Sequence, residues 1–220
     1  MNAVLRRRFE MAARVRDFLR AHRTEGAEAA AVARLEELLQ RAEVLEAQQW
    51  AGVVATRAST EQRAEVRRAL QSTLLRYLAG VGAVAAKENV ELAVQFRLPR
   101  TRATNHAFLT LARGMLERAT AQKALLESRG MSEQLLADLA VAVLEFEKTL
   151  EATRAGRRDH VGASADLRAV ATEIAEQVRL LDGLVRYRFG DNAELMGAWA
   201  SARNVVGSFR SRGDAVAPAA

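Results

Sequence analysis

Apolar residues recur along most of the chain at steps of three and four positions, which is the spacing of one face of an α-helix. The clearest run is Leu136, Leu139, Val143, Phe146 and Leu150. No segment shows the sustained alternation of apolar and polar residues that is typical of a strand, so the pattern predicts an all-α protein. Because short connections make neighbouring helices antiparallel, we expect an up-down helical bundle of about six helices plus a short C-terminal helix.

The predicted helices lie between breaks that contain Gly, Ser, Thr or Pro. Their approximate ranges are 3–22, 27–57, 61–86, 105–128, 133–154 and 165–188, with the short terminal helix at 192–205. Ser59 and Gln62 match a capping box and predict a break near residue 59, with one long helix through this point as the alternative. Gly156 and Gly162 flank the polar run GRRDHVG and predict a loop at 155–163.

Large apolar residues define the inner faces of the second and third helices. The seam of the second helix is expected on Val32, Leu35, Leu39, Ala42 and Leu45. We expect Trp50, Val53 and Val54 to close that seam. The inner face of the third helix is expected on Val66, Leu70, Leu74, Tyr77, Val81 and Val84. Gly80 and Gly82 each cost about 1 kcal/mol relative to Ala inside a helix, and a close helix crossing is the favoured reason for two together.

Local signals also predict where helices begin and end. Pro99 lacks an N–H group and clashes with a preceding helical turn, so it predicts the long connection between the third and fourth helices. Thr104 is expected to cap the fourth helix and Gly130 to end it. Asp191 and Glu194 form a pair like a capping box ahead of the terminal helix.

The break near residue 59 predicts three parts of the chain. Residues 1–57 form an N-terminal helical hairpin, either separate or packed into the rest, and residues 58–207 form the main helical bundle. Residues 208–220 contain Arg, Gly, Pro and Ala with almost nothing to bury, so this tail is predicted to be disordered.

Composition narrows the class of protein. The chain has no cysteine, which excludes disulfides and thiolate metal sites and fits a reducing compartment, so we expect a cytoplasmic protein. The sequence has no run of about 18 apolar residues, so no transmembrane helix is expected. The net charge of +6 comes mainly from arginine. Heavy use of Arg and Ala is also typical of GC-rich genomes, so this charge is weak support for a nucleic-acid partner.

Motifs for catalysis or cofactor binding are missing from the sequence. There is no Glu-x-x-His pair for a di-iron bundle, no phosphate-binding Gly-rich loop and no Gly-x-Ser-x-Gly elbow. The three histidines match no zinc-ligand spacing. Asp159 and His160 are half of an acid–base pair at most, because no nucleophile accompanies them. The sequence therefore predicts a non-enzyme with no metal and no cofactor.

A basic end of the bundle is the candidate site. In an up-down path the connections at 23–26, 87–103 and 155–163 share one end, which gathers the histidines and a surplus of arginines. Arginine binds phosphate and carboxylate groups through a planar fork of donors. The candidate residues for an anion or an acidic partner are Arg97, Arg100, Arg102, His106, Arg157, Arg158 and His160. The alternative is an ordinary solvated end whose arginines face different ways.

These patterns favour a non-enzymatic interaction or scaffolding protein. Its partner would be another protein or a second copy, bound through exposed helical seams or at the basic end. The alternative is a nucleic-acid-associated protein that contacts the phosphate backbone non-specifically. The candidate contacts for this alternative are the arginine runs Arg6–Arg8, Arg67–Arg68 and Arg157–Arg158.

Three segments carry a resemblance to known sequences. They are FRLPRTRATNHAFLTLAR, AGRRDHVGA and RYRFGDNAELMGAWASARNVVG. Together they resemble a family of bacterial all-helical hypothetical proteins with no assigned function, over about residues 59–207. The resemblance implies a bacterial source and no catalytic residues.

Overall fold

A computed structural model of the chain describes residues 2–22, 25–87, 91–98 and 103–205. Within these ranges every regular element is helical and no strand is present, so the prediction of an all-α helical bundle is confirmed. The helices are α1 (Ala3–Ala21), α2 (Ala27–Ala69), α3 (Leu75–Ala85), α4 (Glu91–Gln95), α5 (Asn105–Ala121), α6 (Lys123–Ser128), α7 (Leu135–Phe189) and α8 (Ala193–Ala202). A π-helical turn, Leu70–Leu74, joins α2 to α3.

Two predicted breaks lie inside long helices. Helix α2 has 43 residues and α7 has 55. Ser59 caps nothing, because its hydroxyl donates to the carbonyl oxygen of Ala55 within α2. The alternative of one long helix through this point is therefore the correct one. The predicted loop at 155–163 is wrong, because these residues are helical throughout.

Gly156 is a packing residue and not a helix breaker. A Cβ atom built on it would lie 2.8 Å from Oγ1 of Thr56 and 3.1 Å from the carbonyl oxygen of Gly52. Only glycine leaves room for α7 to come this close to α2. A Cβ built on Gly162 would meet nothing within 4 Å, so this glycine sits in the helix without a packing role.

The chain forms two compact units. Unit 1 consists of the described parts of 1–51 and 159–220, and unit 2 consists of those of 52–158. This division differs from the predicted hairpin at 1–57 and main bundle at 58–207, because the second half of α7 and α8 join the N-terminal segment. The tail predicted at 208–220 lies outside the described residues.

In unit 1, α1 and α8 pack with parts of α2 and α7 around a core of Leu, Val and Ala. Nε2 of Gln177 donates to the carbonyl oxygen of Ala31 at 2.8 Å, and Nε2 of Gln49 donates to Oγ of Ser164 at 2.7 Å. The partner number on α7 falls as the number on α2 rises, so the two helices run antiparallel in this unit.

Helix α8 is fixed by its tryptophan. Trp199 is fully buried, its ring centroid lies 5.3 Å from that of Phe18, and its Nε1 donates to Oδ1 of Asp182 at 2.8 Å. The helix is capped by Asn192, whose side chain accepts from the N–H group of Leu195. The predicted cap at Asp191 is therefore wrong by one residue.

Unit 2 packs α3, α4, α5 and α6 with the remaining parts of α2 and α7. The rings of Phe108 and Phe146 meet edge to face in its core, with centroids 5.3 Å apart. One predicted helix start and one predicted helix end are confirmed. Thr104 accepts a hydrogen bond from the N–H group of Ala107, and Gly130 ends α6 with a φ of +96°.

The π-helical turn changes which residues of α3 face inward. Leu70 and Leu75 are both fully buried although they are five positions apart, which the wider π turn allows. The prediction had continued the α-helical spacing, so its inner face is wrong at two positions beyond this point and correct at Val81, which is buried. Tyr77 and Val84 are exposed, and Leu78 takes the inner position.

The two glycines of α3 give a matched pair of variants. A Cβ built on Gly82 would lie 2.7 Å from Cβ of Phe96, whereas one built on Gly80 would meet nothing within 4 Å. We expect Gly82→Ala to destabilise the protein by about 1–3 kcal/mol through overpacking. Gly80→Ala should stabilise it by up to about 1 kcal/mol through helix propensity. Urea unfolding followed by circular dichroism measures both, and an equal effect of the two variants would contradict the close crossing.

Asp182 makes unfolding depend on pH. Burial raises its pKa, but hydrogen bonds from Trp199 and Arg186 and the charge of Arg203 outweigh burial and lower the pKa below its ordinary value. The stabilisation is therefore present above the unfolded-state pKa and is lost as pH falls through the lowered folded-state pKa. We expect Asp182→Asn to reduce the free energy of unfolding at neutral pH, and by less as the pH falls.

The control for this prediction is Asp166→Asn. Asp166 is exposed on the same helix, and its side chain forms no ion pair or hydrogen bond with the described residues. Urea unfolding of both variants and the wild type across the acid range gives the comparison. A loss in Asp182→Asn that does not change with pH would show that the carboxylate charge is not responsible.

Candidate functional site

The basic end predicted from the sequence loses one of its three connections. Residues 155–163 are part of α7, so Arg157, Arg158 and His160 lie on a helix and not on a loop. Arg157 and Arg158 are exposed there. The up-down argument that brought them to the other candidate residues therefore no longer holds.

The remaining candidates are placed separately. Arg97 is exposed just after α4, and His106 is exposed in the first turn of α5. Arg100 and Arg102 lie outside the described residues. Among the described candidates, no hydrogen bond or ion pair joins the side chains into one anion site.

Asp159 and His160 do not form an acid–base pair. Adjacent residues on a helix do not face each other. Asp159 is exposed, whereas Nδ1 of His160 is buried and has no hydrogen-bond partner among the described residues. Among the described residues, no group of three His, Cys, Asp or Glu side chains could hold a metal ion.

The feature that stands out on the described surface lies on α2. Trp50, one of two tryptophans in the chain, is 69% exposed. Beside it runs a set of exposed apolar residues that we call the α2 stripe: Val44, Ala47, Ala51, Val54 and Ala58. Val44 is 57% exposed and Val54 is 48% exposed. The prediction that Trp50, Val53 and Val54 close the buried seam is therefore wrong.

Helix geometry explains why the stripe is exposed. The buried seam of α2 continues through Leu45, Gln49 and Gly52, and then through half-buried Thr56 to Ser59, in steps of three and four. At about 100° per residue, the α2 stripe lies on roughly the opposite side of the helix. Extending the seam by these steps would have excluded Trp50 and Val54 from it. Residue size misled the prediction, because the seam contains a glycine, a serine and a glutamine.

The stripe is local to the middle of α2. Between positions 44 and 58 the only charged residues are Glu46 and Arg57. The same side of α2 is polar before the stripe, at Glu37, and after it, at Glu65. A surface helix ordinarily keeps polar residues on its outer side along its whole length. An apolar outer side of this extent is typical of a protein-interaction surface.

Other exposed apolar residues form smaller features. Val141 and Leu144 lie on one side of α7, but Lys148 ends that patch after one more turn. Tyr187 is 94% exposed and Val94 is 78% exposed, each on a different helix. Single exposed apolar side chains are normal on a protein surface, so these carry no argument. None of the helices in the described ranges has the length and apolar character needed to cross a membrane.

In comparisons with known proteins, no family model, no curated protein and no solved structure matches the chain. The resemblance to bacterial helical proteins therefore stays a prediction.

The two tryptophans allow the exposure of the stripe to be measured. In dilute solution, Trp199→Phe leaves only Trp50, whose emission should be red-shifted and strongly quenched by iodide because it lies in water. Trp50→Phe leaves only the buried Trp199, whose emission should be blue-shifted and nearly unquenched. Similar quenching in the two variants would contradict the exposed position of Trp50.

Proposed function

We propose that the protein is a non-enzymatic interaction or scaffolding protein of the cytoplasm, and that the α2 stripe with Trp50 is its docking surface for protein. The observation that carries the proposal is the 69% exposure of Trp50 beside an exposed apolar stripe. The basic end is not part of the proposal, because its third connection is helical.

The physical reason for docking is the burial of this apolar surface. Covering apolar area contributes about 25 cal/mol per Å², and tryptophan is enriched among residues that dominate binding energy. Trp50 has few rotatable bonds, so it loses little conformational freedom when a partner covers it. The alanines of the stripe leave the backbone of α2 open to close approach by another helix.

Nucleic-acid binding, the alternative from the sequence, has less support. Several arginines are already neutralised within the protein. Arg34 and Arg41 both contact Glu173, Arg20 contacts Glu36, and Arg113 contacts Glu147. Arginines paired in this way are less available to neutralise phosphates, and phosphate neutralisation supplies most non-specific affinity.

Site-specific photo-crosslinking in cells tests the proposal. A benzophenone amino acid in place of Trp50 should give covalent protein adducts, because the partner covers this position. The same amino acid in place of Tyr187 is the matched control, since that side chain is aromatic and 94% exposed but lies outside the stripe. We expect at least about tenfold less adduct there, in keeping with a specific contact.

Two outcomes would contradict the proposal. The first is the absence of any adduct from position 50 when the crosslinker is incorporated and the protein is folded. The second is an adduct that nuclease removes and protease does not, which would favour the nucleic-acid alternative.

A further inference from the structure

We propose that the α2 stripe binds the α2 stripe of a second copy of this chain, as an antiparallel pair of helices. This inference rests on the proposed function and names the partner. The heptad register of helix α2 and the charges that flank the stripe support it.

The spacing of the stripe is that of a coiled-coil seam. Its members are separated by alternating steps of three and four, from Val44 to Ala58. In coiled-coil notation, Val44, Ala51 and Ala58 are a positions, and Ala47 and Val54 are d positions. Such a seam requires a helix of the same periodicity as its partner, and a second copy provides one.

Side-chain size favours one antiparallel register. In it Val44 of one copy faces Val54 of the other, and Ala47 faces Ala51, so branched residues meet and small residues meet. A shift of the antiparallel register by one heptad in either direction places a glutamate carboxylate against a valine: Val44 against Glu61 of the second copy in one direction, and Val54 against Glu37 in the other. Burying that carboxylate against an apolar residue is unfavourable.

The flanking residues select the same arrangement. Glu43, Trp50 and Arg57 occupy successive g positions, and g positions face each other across an antiparallel pair. Glu43 of each copy then faces Arg57 of the other, and the two Trp50 rings meet at the centre. In a parallel pair Glu43 and Arg57 would each face a glutamine, Gln48 or Gln62, so the opposite charges would stay apart.

Glu43 and Arg57 are available for this contact. Both are exposed, and in the described part of the chain neither forms an ion pair or a side-chain hydrogen bond. This contrasts with Arg41 on the same helix, which contacts Glu173. The stripe covers about 22 Å of helix at 1.5 Å per residue. A contact of this length buries an area at the small end of the range for specific interfaces. We therefore expect reversible dimers with a Kd in roughly the micromolar range.

Charge exchange on the full chain tests the register. Sedimentation equilibrium should show a monomer–dimer equilibrium for the wild type. Glu43→Arg alone and Arg57→Glu alone should each weaken dimerisation by about tenfold, because like charges then face each other. The double variant Glu43→Arg/Arg57→Glu should restore the wild-type Kd. Trp50→Glu should abolish dimerisation, and the control Tyr187→Glu should leave it unchanged.

Disulfide trapping gives the direction of the pair, because the native chain has no cysteine. A mixture of Val44→Cys and Val54→Cys chains should form a mixed disulfide under mild oxidation. Neither variant alone should do so, since identical positions would be about 15 Å apart along the helix axis. A disulfide within Val44→Cys alone would show a parallel pair and overturn the register.

The outcomes separate this inference from the proposed function. A chain that remains monomeric at all concentrations, while the crosslinker at position 50 captures a different protein, overturns the second copy as partner and leaves the docking surface intact. A failure to rescue in the double variant overturns the antiparallel pairing of Glu43 with Arg57. Absence of both self-association and crosslinking overturns the inference and the proposed function together.

Discussion

The close approach of α7 to α2 in unit 2 is the constraint on which the candidate surface depends. Gly156 carries no side chain, and Thr56 and Gly52 fill the space that a Cβ atom would need. This contact occupies the seam side of α2 and gives no cover to the opposite side. Val54 lies on that opposite side and is exposed. The buried contact and the exposed stripe are therefore two consequences of how one helix is oriented.

Polar pairs along α2 and α7 fix the alignment within each unit. A seam made largely of Ala, Leu and Val would tolerate sliding, because apolar contacts have no direction. In unit 1, Gln49 donates a hydrogen bond to Oγ of Ser164. In unit 2, Arg63 donates a hydrogen bond to Oγ1 of Thr153 at 2.9 Å. A net hydrogen bond contributes only about 0.5–1.5 kcal/mol, but an unmet buried polar group costs more. These pairs therefore disfavour other alignments more than they stabilise the observed one.

The sequence predicted the features that depend on neighbouring residues and missed those that depend on distant ones. Helical class, the Thr104 cap and the Gly130 helix end follow from local spacing and local hydrogen bonds. The role of Gly156 is set by residues about a hundred positions away, so the pattern of its neighbouring residues predicts a helix break there. The π-helical turn after α2 is likewise a packing solution, and it moved the first inner position of α3 after Leu75 from the expected Tyr77 to Leu78.

Composition and placement point to different partners, and placement is the stronger argument. The excess of arginine suggests an anionic partner, yet the described arginines include several held by carboxylates of their own chain. An ion pair at the surface contributes little to stability, but it does reduce the positive potential that would attract a polyanion. The middle of α2 has the reverse character: it has few charges, and Glu43 and Arg57, which flank the stripe and form no ion pair within the described part of the chain, are of opposite sign. A surface with one charge of each sign at its two ends attracts a copy of itself turned end to end, whereas a uniformly charged partner would meet one attraction and one repulsion.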